Sequence, residues 1–213
     1  MGDSCGSHGC ASTSTAPQSD SYRRILWIAL LINAAMFGVE LVTGLQSQSV
    51  SLLADAVDFF GDAANYGLSL AVLGSTLGWR ARAALFKGLC MGAFGVFVLG
   101  RAAWSFSSGV VPEPLTMGVV GALALAANVT VALMLYAWRE GDANMRSVWL
   151  CSRNDAIGNV AVILAALGVV GTHAAWPDLA VATVMGVLAL TASRSVVHHA
   201  MEEMRQPAHP GHA

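Results

Sequence analysis

From its amino end the chain passes out of a polar, small-residue stretch into long apolar runs separated by brief polar interruptions. Six runs can be drawn, at about 25–45, 49–73, 83–103, 115–138, 148–170 and 179–197. Crossing the hydrocarbon core of a bilayer takes roughly 20 mostly apolar residues in a helix. Each run is therefore expected to span, giving an all-α integral membrane protein with six transmembrane helices. The third run is the least uniform, because Lys87 and Arg101 leave a short uncharged middle. Their long side chains are expected to snorkel to opposite faces. Residues 1–22 are rich in Ser, Thr, Gly and Ala and lack the apolar stretch of a secretory signal. They read as a flexible cytoplasmic tail, 23–200 as the membrane domain, and 201–213 as a second short cytoplasmic tail.

Composition agrees with a bilayer as solvent. Of the 213 residues 55% are hydrophobic and only 11% charged, against about 25% charged in an ordinary soluble domain. Too little polar material is left to cover a water-soluble fold. The net charge of −2 comes without a basic block, so nucleic acid has no electrostatic footprint here. The four cysteines, Cys5, Cys10, Cys90 and Cys151, do not form a disulfide framework. Charge also orients the chain. Arg23, Arg24, Arg80, Arg82, Lys87, Arg139, Arg146, Arg194 and Arg205 fall on one side of a six-span arrangement, and Arg101 alone falls near the other. The positive-inside rule then places both termini in the cytoplasm, with the protein in the cell membrane. Small-residue pairs, Gly74/Gly78 and Gly88/Gly92, permit close approach of helices.

The second span breaks the apolar rule. It carries Asp55, Asp58 and Asp62 at i, i+3 and i+7, one face of a helix, with Asn65 three residues on. An aspartate at mid-membrane costs at least about 2.5–3.5 kcal/mol. Three on one stripe call for a proton, a metal or another cation to neutralise them. The fifth span supplies Cys151 and Asp155 at i, i+4, the spacing that Asp58 and Asp62 repeat. Two such pairs on packed helices can place four donors around one point. Zinc takes four ligands in a tetrahedron from carboxylate, thiolate or imidazole. A thiolate argues against magnesium and calcium, while cadmium, cobalt, manganese and iron(II) remain open. So does a set of three carboxylates completed by water or Asn154, with Cys151 outside it.

These residues resemble the transmembrane portion of the cation diffusion facilitator family, proton-coupled exporters of zinc and related metals. That family's second helix carries a His or Asp followed four residues later by Asp, after a Ser-Leu-Leu-Ala-Asp-Ala-like lead. Here the stretch reads Ser51-Leu-Leu-Ala-Asp55-Ala, then Asp58-Phe-Phe-Gly-Asp62. Its fifth helix carries His and, four residues on, Asp, where this chain has Cys151 and Asp155. Glu40 and Gly44 also fit the family's first helix. The resemblance implies a transporter rather than an enzyme. Its metal ligands would be Asp58, Asp62, Cys151 and Asp155, its substrate Zn²⁺ (or Cd²⁺, Co²⁺, Mn²⁺ or Fe²⁺), and its counter-ion protons. It also implies a homodimer, here held through transmembrane helices. Family members usually continue into a ferredoxin-like cytoplasmic domain. This sequence runs only from Val197 to Ala213 after the sixth span, so a short member without that domain is expected.

The remaining polar residues have humbler expectations. Glu40 and Asp55 read as proton sites, entry-path charges or packing acids. Asn33, Asn65, Asn128, Asn154 and Asn159 are expected to make interhelical hydrogen bonds of about 0.6 kcal/mol each, with Asn65 and Asn159 placed to support ligands. Arg153 would snorkel or offset the acids, and Cys90 would pack as a small residue. The Cys5/His8/Cys10 cluster and His198, His199, His209 and His212 would either collect metal or be inert. Alternating access is the expected mechanism. Four negative groups in a low-dielectric site require protons when metal is absent, and metal entry would displace them. The rivals are an uncoupled metal channel or facilitator and a metal-sensing scaffold. A metal-dependent intramembrane enzyme lacks a separate nucleophile or base.

Overall fold

The computed structural model describes residues 20–71, 77–138 and 143–205. They form six helices: α1 (Asp20–Ser47), α2 (Val50–Ala71), α3 (Leu77–Ser108), α4 (Pro114–Leu135), α5 (Ala143–Thr172) and α6 (Trp176–Arg205). A 3-10 turn, Tyr136–Trp138, follows α4 where the expected span continued as helix. No strand occurs among the described residues. α1 begins at Asp20, with Tyr22 buried, and α6 continues to Arg205. The tail cluster of Cys5, His8 and Cys10, the Gly74 of the first glycine pair, and His209 and His212 lie outside the described residues.

Five helices are long and apolar enough to cross a membrane, α2 being the exception. Length does not exclude it, since its 22 residues rise about 33 Å at 1.5 Å each, enough for a ~30 Å core. Its three aspartates are what set it apart from the five apolar helices. The helix that fails on composition is also the most enclosed: every residue from Val50 to Val57 is buried. The other five shield it, as an intramembrane acid requires.

Successive helices run antiparallel, and side-chain clusters at the two ends of the bundle establish it. One cluster joins Val50 and Leu52 at the start of α2, Ala102 late in α3, Met117 early in α4, Val169 late in α5 and Leu179 early in α6. Here the α1–α2, α3–α4 and α5–α6 connections meet; we call it the connection end. Glu113 N–H donates to the Ser47 carbonyl across it at 3.0 Å. The reversals are tight, and each uses a residue with positive φ: Gln48 (57°), Gly109 (65°) and His173 (51°). At the opposite, terminal end, Tyr22 and Leu26 of α1 pack with Tyr66 of α2, Leu135 of α4 and Trp149 of α5.

The helices associate as α1 with α2, α4 with α5, and α3 with α6, and α2 also touches α3, α5 and α6. The α3–α6 seam is the closest. A Cβ on Gly88 would stand 2.9 Å from Val197, one on Gly92 2.7 Å from Ser193 Oγ, one on Gly95 2.9 Å from Leu190, and one on Gly186 2.9 Å from Leu99. Ser193 Oγ donates to the Gly88 carbonyl at 2.7 Å. The Gly88/Gly92 pair therefore does mark a helix interface. Outward-facing positions are apolar, with Leu31 62%, Leu164 60% and Phe106 79% exposed. In water such a surface would aggregate; against lipid tails it is at home.

Candidate metal centre

Helical periodicity sets the local arrangement on α2. Asp55, Asp58, Asp62 and Tyr66 follow one another at three- and four-residue steps, so they line one stripe. Asp55, Asp62 and Tyr66 are buried and Asp58 is half-buried. α2 packs on α5, and the carboxyl groups of Asp62 and Asp155 face each other across that interface, close enough for each to act on the other's charge. Two carboxylates repel unless a proton or another cation lies between them. Such a pair attracts a positive charge.

Tyr66 steadies it. Its hydroxyl donates to Asp62 Oδ2 at 2.9 Å and lies 2.7 Å from Ser152 Oγ on α5. With the phenolic proton directed at Asp62, Ser152 is left to donate to the Tyr66 oxygen. The chain Ser152–Tyr66–Asp62 fixes one carboxylate oxygen, Oδ2. This pair was not foreseen, although the signal was legible: Tyr66 stands four residues from Asp62 and Ser152 three from Asp155.

Lys87 contradicts its expected snorkelling. It is only 8% exposed, and its ammonium points inward from α3 to donate to Asn65 Oδ1. Asn65 lies one turn beyond Asp62, so a fixed cation sits beside the acid stripe and attracts Asp62. Arg153 does the opposite. It is exposed, with its guanidinium carbon 5.3 Å from the centre of the Trp149 ring and a bond to its neighbour Asn154. Among the described residues it pairs with no acid; a cation over an indole face satisfies it instead.

The asparagines fare unevenly. Asn65 does bridge two helices. Asn33 instead donates to the Ala29 carbonyl of its own helix at 2.8 Å. Asn159 is fully buried with neither its Oδ1 nor its Nδ2 partnered, and Asn128 Oδ1 is likewise unpartnered. Nearer the connection end, Glu40 of α1 faces Asp55 of α2, and no other described group donates to either carboxyl. His198 and His199 are spent within α6, on Glu202 at 3.4 Å and the Ser195 carbonyl at 2.8 Å.

Of the four expected ligands, then, Asp62 and Asp155 meet and Asp58 stands one turn along the same stripe. Cys151 lies one turn before Asp155 on α5, its side chain outside the described residues. Among the described residues no three carboxylate, thiol or imidazole groups converge into a finished cage.

Comparison with known proteins adds an independent line. The pattern that defines the cation efflux transmembrane domain matches residues 26–77 and 79–204. The metal cation efflux system protein CzcD of Cupriavidus metallidurans is 27% identical over 78% of this chain and 57% of its own length. The zinc transporter ZitB of Escherichia coli is 26% identical over 92% of this chain and 67% of its own. A cadmium, cobalt and zinc/H(+)-K(+) antiporter of Bacillus velezensis is 23% identical over 85% and 64%. The chain spans from a little over half to two thirds of the length of these relatives.

Proposed function

The chain belongs to the cation efflux family, the cation diffusion facilitators, and on that premise we propose that it exports divalent transition-metal ions from the cytoplasm in exchange for protons. Zinc is the leading substrate, which agrees with the names its relatives carry. The observation that carries the proposal is the meeting of Asp62 and Asp155 across α2 and α5. Asp58 and Cys151 complete the set, giving the four donors zinc prefers. All six helices cross the bilayer, with the terminal end in the cytoplasm, where Arg23, Arg24, Arg82, Arg194 and Arg205 lie.

Proton exchange follows from charge. Three carboxylates and a thiolate cannot stay ionised together, unpaired, in a low-dielectric interior. Without metal they hold protons; metal entering from the cytoplasm displaces them, and protons arriving from the far side displace the metal. Because binding releases protons, zinc affinity should fall as pH falls. The sign is fixed: lower pH favours the protonated, metal-free site. Calorimetry at two pH values in buffers of different ionisation enthalpy checks both the direction and the release. Tyr66→Phe removes the donor to Asp62 Oδ2. Losing an outer hydrogen bond to a ligand typically weakens metal binding about 10- to 100-fold, and the same titration reads it.

The decisive experiment reconstitutes the protein in vesicles and measures zinc movement under an imposed pH gradient. Uphill accumulation that follows the gradient supports the exchanger. Movement only down a zinc gradient would make the protein an uncoupled facilitator, and binding without movement would make it a sensor. No movement of zinc, cadmium, cobalt or manganese would overturn the proposal.

A further inference from the structure

At the connection end, the first turn of α2 is held by a residue from the other end of the chain. Asp178, in the first turn of α6 and fully buried, accepts four hydrogen bonds from Ser49–Ser51. Its Oδ1 takes the hydroxyls of Ser49 (2.8 Å) and Ser51 (2.6 Å) and the Ser51 N–H (3.0 Å), and its Oδ2 takes the Val50 N–H (2.8 Å). The unsatisfied N–H groups of a helix start attract an anion, and a carboxylate there is bound by dipole and hydrogen bonds together. This cap is supplied across the bundle, alongside the helix's own Ser49, whose Oγ accepts from the Leu52 N–H at 3.2 Å.

The two sides of the cap belong to different groups of helices. α6 is interlocked with α3 along the glycine seam described above, whereas Ser49–Ser51 open α2, which pairs with α1. Directly below the cap, α2 is enclosed all round from Val50 to Val57, while Asp58 and Asp155 remain partly accessible. The structure is therefore a state closed at the connection end. We propose that Asp178 is a positioning residue that latches this end, and that each release of cargo there breaks its four bonds. A polar latch suits a reversible closure. When the end opens, water replaces the protein donors and acceptors, so neither side is left with an unsatisfied buried group. The latch rests on the transport reading only in that something passes it; the closure itself can be tested without metal.

The test places a reporter beneath the latch. Ala54→Cys, at a buried position one turn below Ser51, is exposed to a membrane-impermeant maleimide in vesicles of each orientation, without metal, and its modification is read by peptide mass spectrometry. Asp178→Asn loses the acceptor facing the Val50 N–H. Charged hydrogen bonds lost from a closed state shift a two-state population by about tenfold or more. The expected result is an Ala54→Cys labelling rate at least about tenfold higher from the connection side and unchanged from the terminal side. Ser51→Ala, which deletes one of the four bonds to Asp178 together with the 3.3 Å contact to Ser49 Oγ, should give a smaller, about threefold rise with the same sidedness, and it serves if Asp178→Asn does not fold. A cap that merely stabilises α2 would raise labelling equally from both sides. That result, or no change in either variant, would overturn the latch. A failure of metal exchange in the vesicle assay with side-specific labelling intact would sink the transport reading and leave the latch standing.

Discussion

Asp155→Ala in vesicles should abolish uphill zinc accumulation, with a loss of at least about a hundredfold in initial rate under the same pH gradient. The reasoning is geometric. Asp155 is the only carboxylate that α5 brings to the stripe on α2, and it meets Asp62 there. Removing it leaves every remaining acid ligand on one helix, where side chains three and four residues apart cannot surround an ion. Disturbing a group that merely supports a ligand already costs 10- to 100-fold in affinity, so losing the ligand should cost more. Stability should be little affected, because Asp155 is half-buried. The measurement is zinc uptake by a trapped fluorescent chelator, paired with thermal unfolding in detergent. Asp155→Asn keeps the shape and removes the charge, and should fail in the same way. A variant that folds and still accumulates zinc would remove Asp155 from the site.

The second large effect is on stability. Gly88→Leu should destabilise the bundle by about 2–4 kcal/mol, combining overpacking of about 1–3 kcal/mol with a lost hydrogen bond of about 1 kcal/mol. Even the first added atom would lie 2.9 Å from Val197 Cγ2, 3.1 Å from Val196 Cγ1 and 3.3 Å from the Val197 backbone nitrogen. A side chain can rotate aside; a helix backbone cannot. α6 must therefore move off α3, breaking the Ser193–Gly88 bond. Gly100→Leu is the control on the same helix, since a Cβ there meets nothing within 4 Å and would face lipid. Thermal unfolding in detergent should separate the two variants by several degrees. Equal melting temperatures would mean that the seam is not a rigid contact.

These expectations draw unequally on sequence and structure. The acid stripe needed no coordinates, because the spacing of Asp55, Asp58 and Asp62 within one helix is set by the helical repeat alone. The same holds for Cys151 and Asp155. Lys87 shows where this kind of reading stops. A lysine near a span end was expected to reach for water, and nothing local to it reveals that Asn65, 22 residues earlier, offers an inward partner. Asn33 erred the other way, since a buried amide can satisfy its donor on its own helix as readily as on a neighbour. Nothing local to Asp178 reveals its role, because its partners lie 127 to 129 residues away.

By itself, then, the sequence determined what depends on composition and on the repeat of a single helix: a bilayer as solvent, long apolar helices, and acids aligned in stripes too costly to be idle. The tertiary structure decided how those helices are rotated against one another, and so which acids meet, which lysine turns inward, and which carboxylate closes the end of α2. The physical reason is that in a membrane protein the lipid-facing and core-facing sides of a helix are both apolar. The pattern that tells a soluble helix which way to face is then largely erased. Close packing at glycines and a few buried polar contacts choose the rotation instead, and those form between residues far apart in the chain.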